Sequence, residues 1–282
     1  MPEVITRHSP GTLRFRASEL GYGIFVVVAG LLALVFMVGP VAVGLLMSFT
    51  DGQTLQFPPQ GWSLKWYAEL FDPIASQPIH TAAKNSVQIA LWTVAGAVVL
   101  AVPASYGIAR LGGKAAASIE PLLLAPLVMP SLIYGLSALI AANLVGVSPS
   151  RWLVIGGHIA IFGPLMYRAT LAVVQQIDPA LEQASAMLGA GRFATFRRVT
   201  LPLLVPGVLA GSFLVFMQSL DNVSITLFLA DPRTTVLPLR MFQMIEESLD
   251  VRVAAISGVL IGLSLIVLLA VQYLSPFLKP SR

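Results

Sequence analysis

Asp178 to Pro206 reads DPALEQASAMLGAGRFATFRRVTLPLLVP, a polar, patterned segment set between two apolar runs that are each long enough to cross a bilayer. The whole chain is 56% hydrophobic and 11% charged, with a mean hydropathy of +0.84, far outside the balance of a soluble domain. An integral membrane protein follows, and the quoted segment is one of its aqueous loops.

Six stretches free or nearly free of charge suffice to span a hydrocarbon core, which takes about 20 helical residues. They are Tyr22 to Phe49, Val87 to Ala109, Pro121 to Val147, Trp152 to Val174, Leu203 to Ala230 and Val253 to Leu274. The runs are continuous rather than alternating, so helices and not barrel strands are expected. The resulting organisation is an all-α membrane protein with a tail at residues 1–21, a six-helix domain at 22–275 and a second tail at 276–282. The first run is too long for a cleaved signal and reads as a retained anchor.

Lys and Arg set the orientation. Eleven fall on one side: Arg7, Arg14, Arg16, Arg110, Lys114, Arg168, Arg192, Arg197, Arg198, Lys279 and Arg282. Six fall on the other: Lys65, Lys84, Arg151, Arg233, Arg240 and Arg252. The bias puts both termini and the Asp178 segment in the cytoplasm. It also accounts for the net charge of +4 without a nucleic acid partner.

Several chemistries drop out. The chain has no cysteine, which removes disulfides and thiol catalysis, and His8, His80 and His158 lack any metal-ligand spacing. Gly107 to Ala115 resembles a phosphate loop only superficially, because its glycine spacing is one residue too long and Ala115 replaces the hydroxyl needed for magnesium. Asn222-Val223-Ser224 lies inside an apolar run, where a glycosylation acceptor has no use. Neither a metal, a cofactor nor an enzymatic activity is therefore expected of this chain, and any ATP and magnesium chemistry would belong to a partner.

Within the quoted segment, Asp178 is placed to cap a helix that Pro179 opens, with Glu182 favourably near its positive end. Leu181, Ala184, Ser185 and Leu188 share one face, and Gly189 and Gly191 permit a sharp change of direction. Phe193, Phe196 and Val199 form a second stripe among Arg192, Arg197 and Arg198. Two readings fit: a helix pair lying in the headgroups, and a surface on which a cytoplasmic partner docks.

Glu182-Gln183-Ala184-Ser185, Leu188-Gly189-Ala190 and Phe196 to Pro202 resemble the EAA loop of the membrane subunits of binding-protein-dependent ABC importers. The resemblance implies that residues 178–202 form a coupling helix seated on an ATP-binding subunit, with Glu182, Gln183, Ala184, Ser185, Leu188, Gly189, Ala190, Phe196 and Pro202 at the contact. Gln183 stands where the family has Glu, and Ser185 where it has its second Ala. Further matches resemble the second permease of spermidine/putrescine importers. They are Pro103 to Tyr106, Ala125 to Pro130, Ser219 to Val223, Thr226 to Ala230 and Leu237 to Phe242. Asn222 replaces a common acidic residue of that branch, and Asp231-Pro232-Arg233 a Gly-Pro-Gly. The implied setting is a bacterial inner membrane, with two ATPase subunits, a second permease and a soluble binding protein as partners, and a small amine-bearing solute as cargo: a polyamine, or a related opine or aminophosphonate.

Asp221 is the one carboxylate inside an apolar run, which makes it a functional candidate on cost alone. Gln218, Ser219 and Asn222 offer weaker polar contacts beside it along a solute path. Two readings of another class stay open: an ion-coupled secondary transporter using Asp221, and a membrane anchor that transports nothing. Elsewhere, Gly207, Gly211, Gly258 and Gly262 suggest close helix packing. Trp62, Trp66 and Tyr67 suggest a short helix anchored in the headgroups. The acidic Glu246, Glu247 and Asp250 suggest contact with a soluble receptor.

Overall fold

A computed structural model describes residues 11–274. Of the expected tails, residues 1–10 and 276–282 lie outside the described residues, and residues 11–21 are helical rather than a separate tail. The helices in chain order are α1 (Gly11–Met47), α2 (Lys65–Phe71), α3 (Gln77–Leu111), α4 (Gly113–Val128), α5 (Ser131–Leu144), α6 (Arg151–Val174), α7 (Pro179–Met187), α8 (Arg192–Thr195), α9 (Leu201–Asp221), α10 (Ser224–Leu229), α11 (Leu237–Ser248) and α12 (Arg252–Leu274). A π-helical turn, Phe196–Thr200, joins α8 to α9. Four of these segments are long and apolar enough to cross a membrane, or five if the bent pair α4 and α5 counts as one span.

Two compact units emerge, one from the chain ends up to Phe71 and from Glu247, the other from Asp72–Glu246. In the first, α1 packs along α12 and α2 against α12. The apolar residues of α1 stay outward along most of its length, Phe25, Leu32 and Phe36 among them, as suits a helix surrounded by lipid. The expected headgroup aromatics need correction: Trp62 is exposed, but Trp66 is buried on α2 together with Leu70. The Tyr67 hydroxyl lies 2.7 Å from Ser48 Oγ, so this ring is held inside the unit. Gly258 is the point where α12 meets that Tyr67 ring, whereas Gly262 faces open space.

The second unit is organised by α3, α6 and α9, each packed on the other two. Their shared core includes Ile89, Val154, Met166, Tyr167, Leu204 and Val215. Gly207 and Gly211 bring α9 onto α6: a Cβ on Gly207 would sit 2.9 Å from the Ala169 carbonyl oxygen, and one on Gly211 2.9 Å from Met166 Cα. The glycine pair thus serves packing within the chain.

Two of the expected spans are not straight. The run Pro121 to Val147 divides into α4 and α5, which meet at 101°. Pro130 explains the break, because it lacks an N–H for the ladder and forces Met129 into an extended conformation at φ −75°, ψ 133°. Pro103 and Pro164, by contrast, sit inside α3 and α6 without ending them. The run Leu203 to Ala230 stops at Asp221 and resumes as α10, which packs against α5 and α6. Here the turn is made by Asn222, whose Oδ1 accepts the Ile225 N–H at 2.9 Å.

Candidate functional site

The loop after α6 is built from strong local signals. Asp178 Oδ1 accepts the Ala180 N–H at 2.9 Å, capping α7 where Pro179 has no donor to offer. At the other end Gly189 adopts φ +85°. The Ala190 N–H then reaches the Ser185 carbonyl at 3.1 Å and the Gly189 N–H the Ala186 carbonyl at 2.9 Å. This is a complete Schellman turn, which a left-handed glycine permits without a Cβ clash.

What holds α7 to the bundle is Glu182. Its Oε1 accepts from Arg110 Nη2 at 2.7 Å and from Thr200 Oγ1 at 2.8 Å, and its Oε2 from Tyr106 Oη at 3.1 Å. Tyr106 and Arg110 are one turn apart at the end of α3, so both point the same way. The Arg110 guanidinium lies 5.4 Å from the Tyr106 ring centre, and Phe196 meets that ring edge-on at 5.3 Å. Only 16% of the Glu182 side chain is exposed. Burial pushes its carboxyl pKa up, but the bonds from Arg110 and Thr200, the Arg110 charge and the bond from Tyr106 outweigh it and hold the pKa below the usual value. One carboxylate thus joins α7, the end of α3 and the π-helical entry to α9. Ser185, one turn on, adds a 3.0 Å contact to the buried Thr195 hydroxyl.

The sequence-predicted residues of this loop therefore divide between two faces. Glu182, Ser185 and Phe196 turn inward, and Ala190 is half-buried. Gln183, Ala184, Leu188, Gly189 and Pro202 are exposed. Met187 and Leu188 are each 89% exposed and Phe193 76%, an apolar apex that water alone would not favour. Tyr106, Arg110, Thr195 and Thr200 were not among the predicted site residues. The i, i+4 pair Tyr106 and Arg110 was visible in the sequence, but its target 72 residues away was not.

The four predicted pathway residues are not gathered in one place. Gln218 and Asp221 are exposed, three residues apart on α9. Ser219 is buried, its hydroxyl 2.8 Å from His158 Nδ1 and donating to Thr93 Oγ1 at 3.3 Å. His158 Nε2 lies 3.4 Å from Thr226 Oγ1, so one imidazole links α6, α9 and α10 inside the bundle. Asn222 makes the turn into α10, its carbonyl also accepting from Thr226 Oγ1 at 3.0 Å. The sequence reading weighed His158 only as a metal ligand; its role as an interhelical tie rests on contacts with residues far away in sequence. Among the described residues no group of His, Cys, Asp and Glu could hold a metal ion.

With this geometry in place, the sequence profile described as "Binding-protein-dependent transport system inner membrane component" matches residues 97–280. The chain belongs to that family. The permease is 26% identical over 216 residues to the spermidine/putrescine transport system permease protein PotC of Escherichia coli (strain K12), a match spanning 77% of this chain and 81% of the relative. To the putrescine transport system permease protein PotI of the same strain it is 27% identical over 242 residues, spanning 82% and 84%. To the molybdenum transport system permease protein ModB of Mycobacterium bovis it is 30% identical over 240 residues, spanning 79% and 87%. Its fold resembles that of a bacterial ABC transporter involved in the import of the acidic polysaccharide alginate, with a TM-score of 0.65 at 16% identity over 98% of this chain and all of that one. The alginate transporter in complex with alginate pentasaccharide-bound periplasmic protein gives a TM-score of 0.68 at 17% identity, over 97% of this chain and all of that one. Family membership makes the chain a membrane-embedded permease subunit of an ABC importer and sets aside the ion-coupled carrier and the inert anchor.

Proposed function

We propose that this permease, with a second permease subunit, forms the inner-membrane path for a small amine-bearing solute, a polyamine such as putrescine or spermidine, handed over by a soluble binding protein. The supporting observation is the loop from Asp178 to Pro202: an apolar apex of Met187, Leu188 and Phe193 projects outward while Glu182 fastens α7 inward to α3 and to the π-helical entry of α9. A surface that is sticky outside and rigidly connected inside is suited to receive a partner's movement and pass it to the spans. The partner is a pair of ATP-binding subunits that carry the nucleotide and magnesium, and the loop lies on the cytoplasmic side with both termini. In this arrangement α12 supplies the sixth span and the bent pair α4 and α5 the third.

The charge of the cargo is inferred from two supports. PotC and PotI are named for polyamines, and Asp221 stands exposed on α9 with Gln218 beside it, a place where a passing cation meets a compensating charge. Ser219 and Asn222, committed to His158 and to the α10 turn, shape that path rather than face the solute. Uptake of labelled putrescine by cells carrying Asp221→Asn tests this. Reduced uptake with intact assembly supports the reading, and undiminished uptake removes Asp221 from the pathway.

A further inference from the structure

In the unit built from the two ends of the chain, a cleft opens between α2 and the start of α12, lined among others by Lys65, Trp66, Glu69, Ser248, Asp250 and Arg252. The apolar span of α1 ends at Met47, and α12 becomes apolar directly after Arg252. The cleft therefore sits where the bilayer core gives way to headgroups.

Its lining carries two cations and two carboxylates. Arg252 donates through Nη2 to Asp250 Oδ2 at 2.6 Å and through Nη1 to Glu69 Oε1 at 3.2 Å. The Lys65 ammonium lies 5.1 Å from the Trp66 ring centre and 2.6 Å from Asp51 Oδ1. Both partners of that last pair are well exposed, so it contributes little and is easily exchanged. Trp66 Nε1 has no hydrogen-bond acceptor among the described residues, a costly state for an enclosed donor. The wall thus holds a donor that an oxygen brought from outside would satisfy.

Around this charged interior the rim is apolar. Leu64, Leu249 and Trp62 are exposed, Leu64 next to Lys65 in the chain and Leu249 between Ser248 and Asp250. Leu249 has φ +49°, a left-handed conformation that residues with a Cβ rarely adopt and that persists only where the surroundings impose it. Here its carbonyl accepts the Leu55 N–H at 3.2 Å, and Thr54 bridges to Asp250. Exposed leucines and a tryptophan about a polar cleft suit a bilayer boundary and not open water.

We propose that this cleft holds the headgroup of a phospholipid bearing both a phosphodiester and a primary ammonium, a phosphatidylethanolamine, with its acyl chains over Leu64 and Leu249. The phosphate accepts from Lys65 beside the Trp66 ring. The ammonium donates to Glu69 and Asp250, since a carboxylate has about four acceptor positions. The balance of two charges of each sign disfavours a headgroup with net charge, and a quaternary ammonium has no N–H to donate. The inference rests on the membrane location that family membership gives, and is independent of the cargo and of the partner of the Asp178 loop.

The test strips the intact complex of lipid in detergent and titrates it with phosphatidylethanolamine, phosphatidylcholine or phosphatidylglycerol of identical acyl chains, counting bound lipid by native mass spectrometry. Phosphatidylethanolamine is expected to bind about tenfold more tightly than either of the others, and Lys65→Gln and Glu69→Gln are each expected to remove about that factor. The Lys65 pair lies at the surface, which keeps the test valid should Glu69→Gln misfold. Leu249→Gly supplies a separate arm: glycine accepts φ +49°, so the thermal midpoint should hold or rise while lipid affinity falls. Equal affinities for the three lipids overturn the site, as does a preference for phosphatidylglycerol. Unchanged phosphatidylethanolamine affinity in Lys65→Gln and Leu249→Gly overturns it too. If those variants instead lose only the stimulation of ATP hydrolysis by the cognate binding protein, the cleft serves a soluble partner and the lipid proposal falls.

Discussion

Glu182 carries a definite energetic expectation. Glu182→Ala removes the acceptor of three hydrogen bonds, from Arg110, Thr200 and Tyr106. Bonds to a charged group are each worth about 1.5–3 kcal/mol, and sharing one carboxylate makes them less than additive. The Arg110 side chain, 29% exposed, can turn to water and recover part of the loss. A net local destabilisation of about 2–3 kcal/mol is reasonable, which is roughly a 30- to 150-fold larger open population. Because α7 is a short peripheral helix, the loss should appear as local opening rather than global unfolding. Hydrogen exchange of the amides of residues 180–190 is the assay. Exposed Gln183→Ala should change exchange little, since surface substitutions stay within about 0.5 kcal/mol. The pH dependence follows from the sign of the shift. The Glu182 pKa is held below its ordinary value of 4.5, so the protection is complete above that value and is lost as pH falls through the lower folded-state pKa. Exchange in Glu182→Ala within about threefold of wild type at neutral pH would refute the idea that this carboxylate holds the loop.

Three further outcomes are expected. Gly189→Val places a β-branched residue at φ +85°, at about 1–3 kcal/mol of strain, and should abolish solute-stimulated ATP hydrolysis while the complex still assembles, as read by co-purification. Gly211→Leu drives its Cβ to within 2.9 Å of Met166 Cα on the α6 backbone, so α6 and α9 must separate; a loss of about 1–3 kcal/mol should lower the thermal midpoint of the detergent-solubilised protein. His158→Ala strips Ser219 and Thr226 of a shared partner, and should cost about 1–3 kcal/mol, measured the same way, leaving the loop's hydrogen exchange unaltered.

How much the sequence reveals depends on the range of the interaction. Asp178, Pro179 and Gly189 announce a helix and its ends because capping is settled within a few residues, and the structure places each in that role. The stripe Leu181, Ala184, Ser185 and Leu188 is likewise legible from its spacing, but periodicity alone does not tell which way a face turns. The structure splits it, with Leu181, Ala184 and Leu188 outward and Ser185 inward against Thr195, since the inner face is chosen by Glu182 and its distant partners on α3. Hydropathy finds the apolar runs but averages over their breaks: Pro130 bends the third run by 101° within an unbroken apolar stretch, and Asn222 makes the turn from α9 into α10 with a side-chain bond to the Ile225 N–H that no composition measure registers. Trp66 is read as interfacial from residue type, yet the packing around α2 buries it. His158 shows the same limit in the other direction, an isolated histidine in sequence that becomes a three-helix tie only when α9 and α10 close over it.

The central claim of the proposed function is that energy passes through the apex of the loop from Asp178 to Pro202. The direct measurement is uptake of labelled putrescine into proteoliposomes holding the complete complex and its binding protein, with ATP either enclosed or omitted, for the wild type and for Leu188→Asp at a side chain 89% exposed. The account predicts uptake that requires enclosed ATP, survives dissipation of the proton gradient, and falls to background in Leu188→Asp as the ATP-binding subunit ceases to co-purify. Uptake that continues without the ATP-binding subunit, or is undiminished in Leu188→Asp, would contradict it.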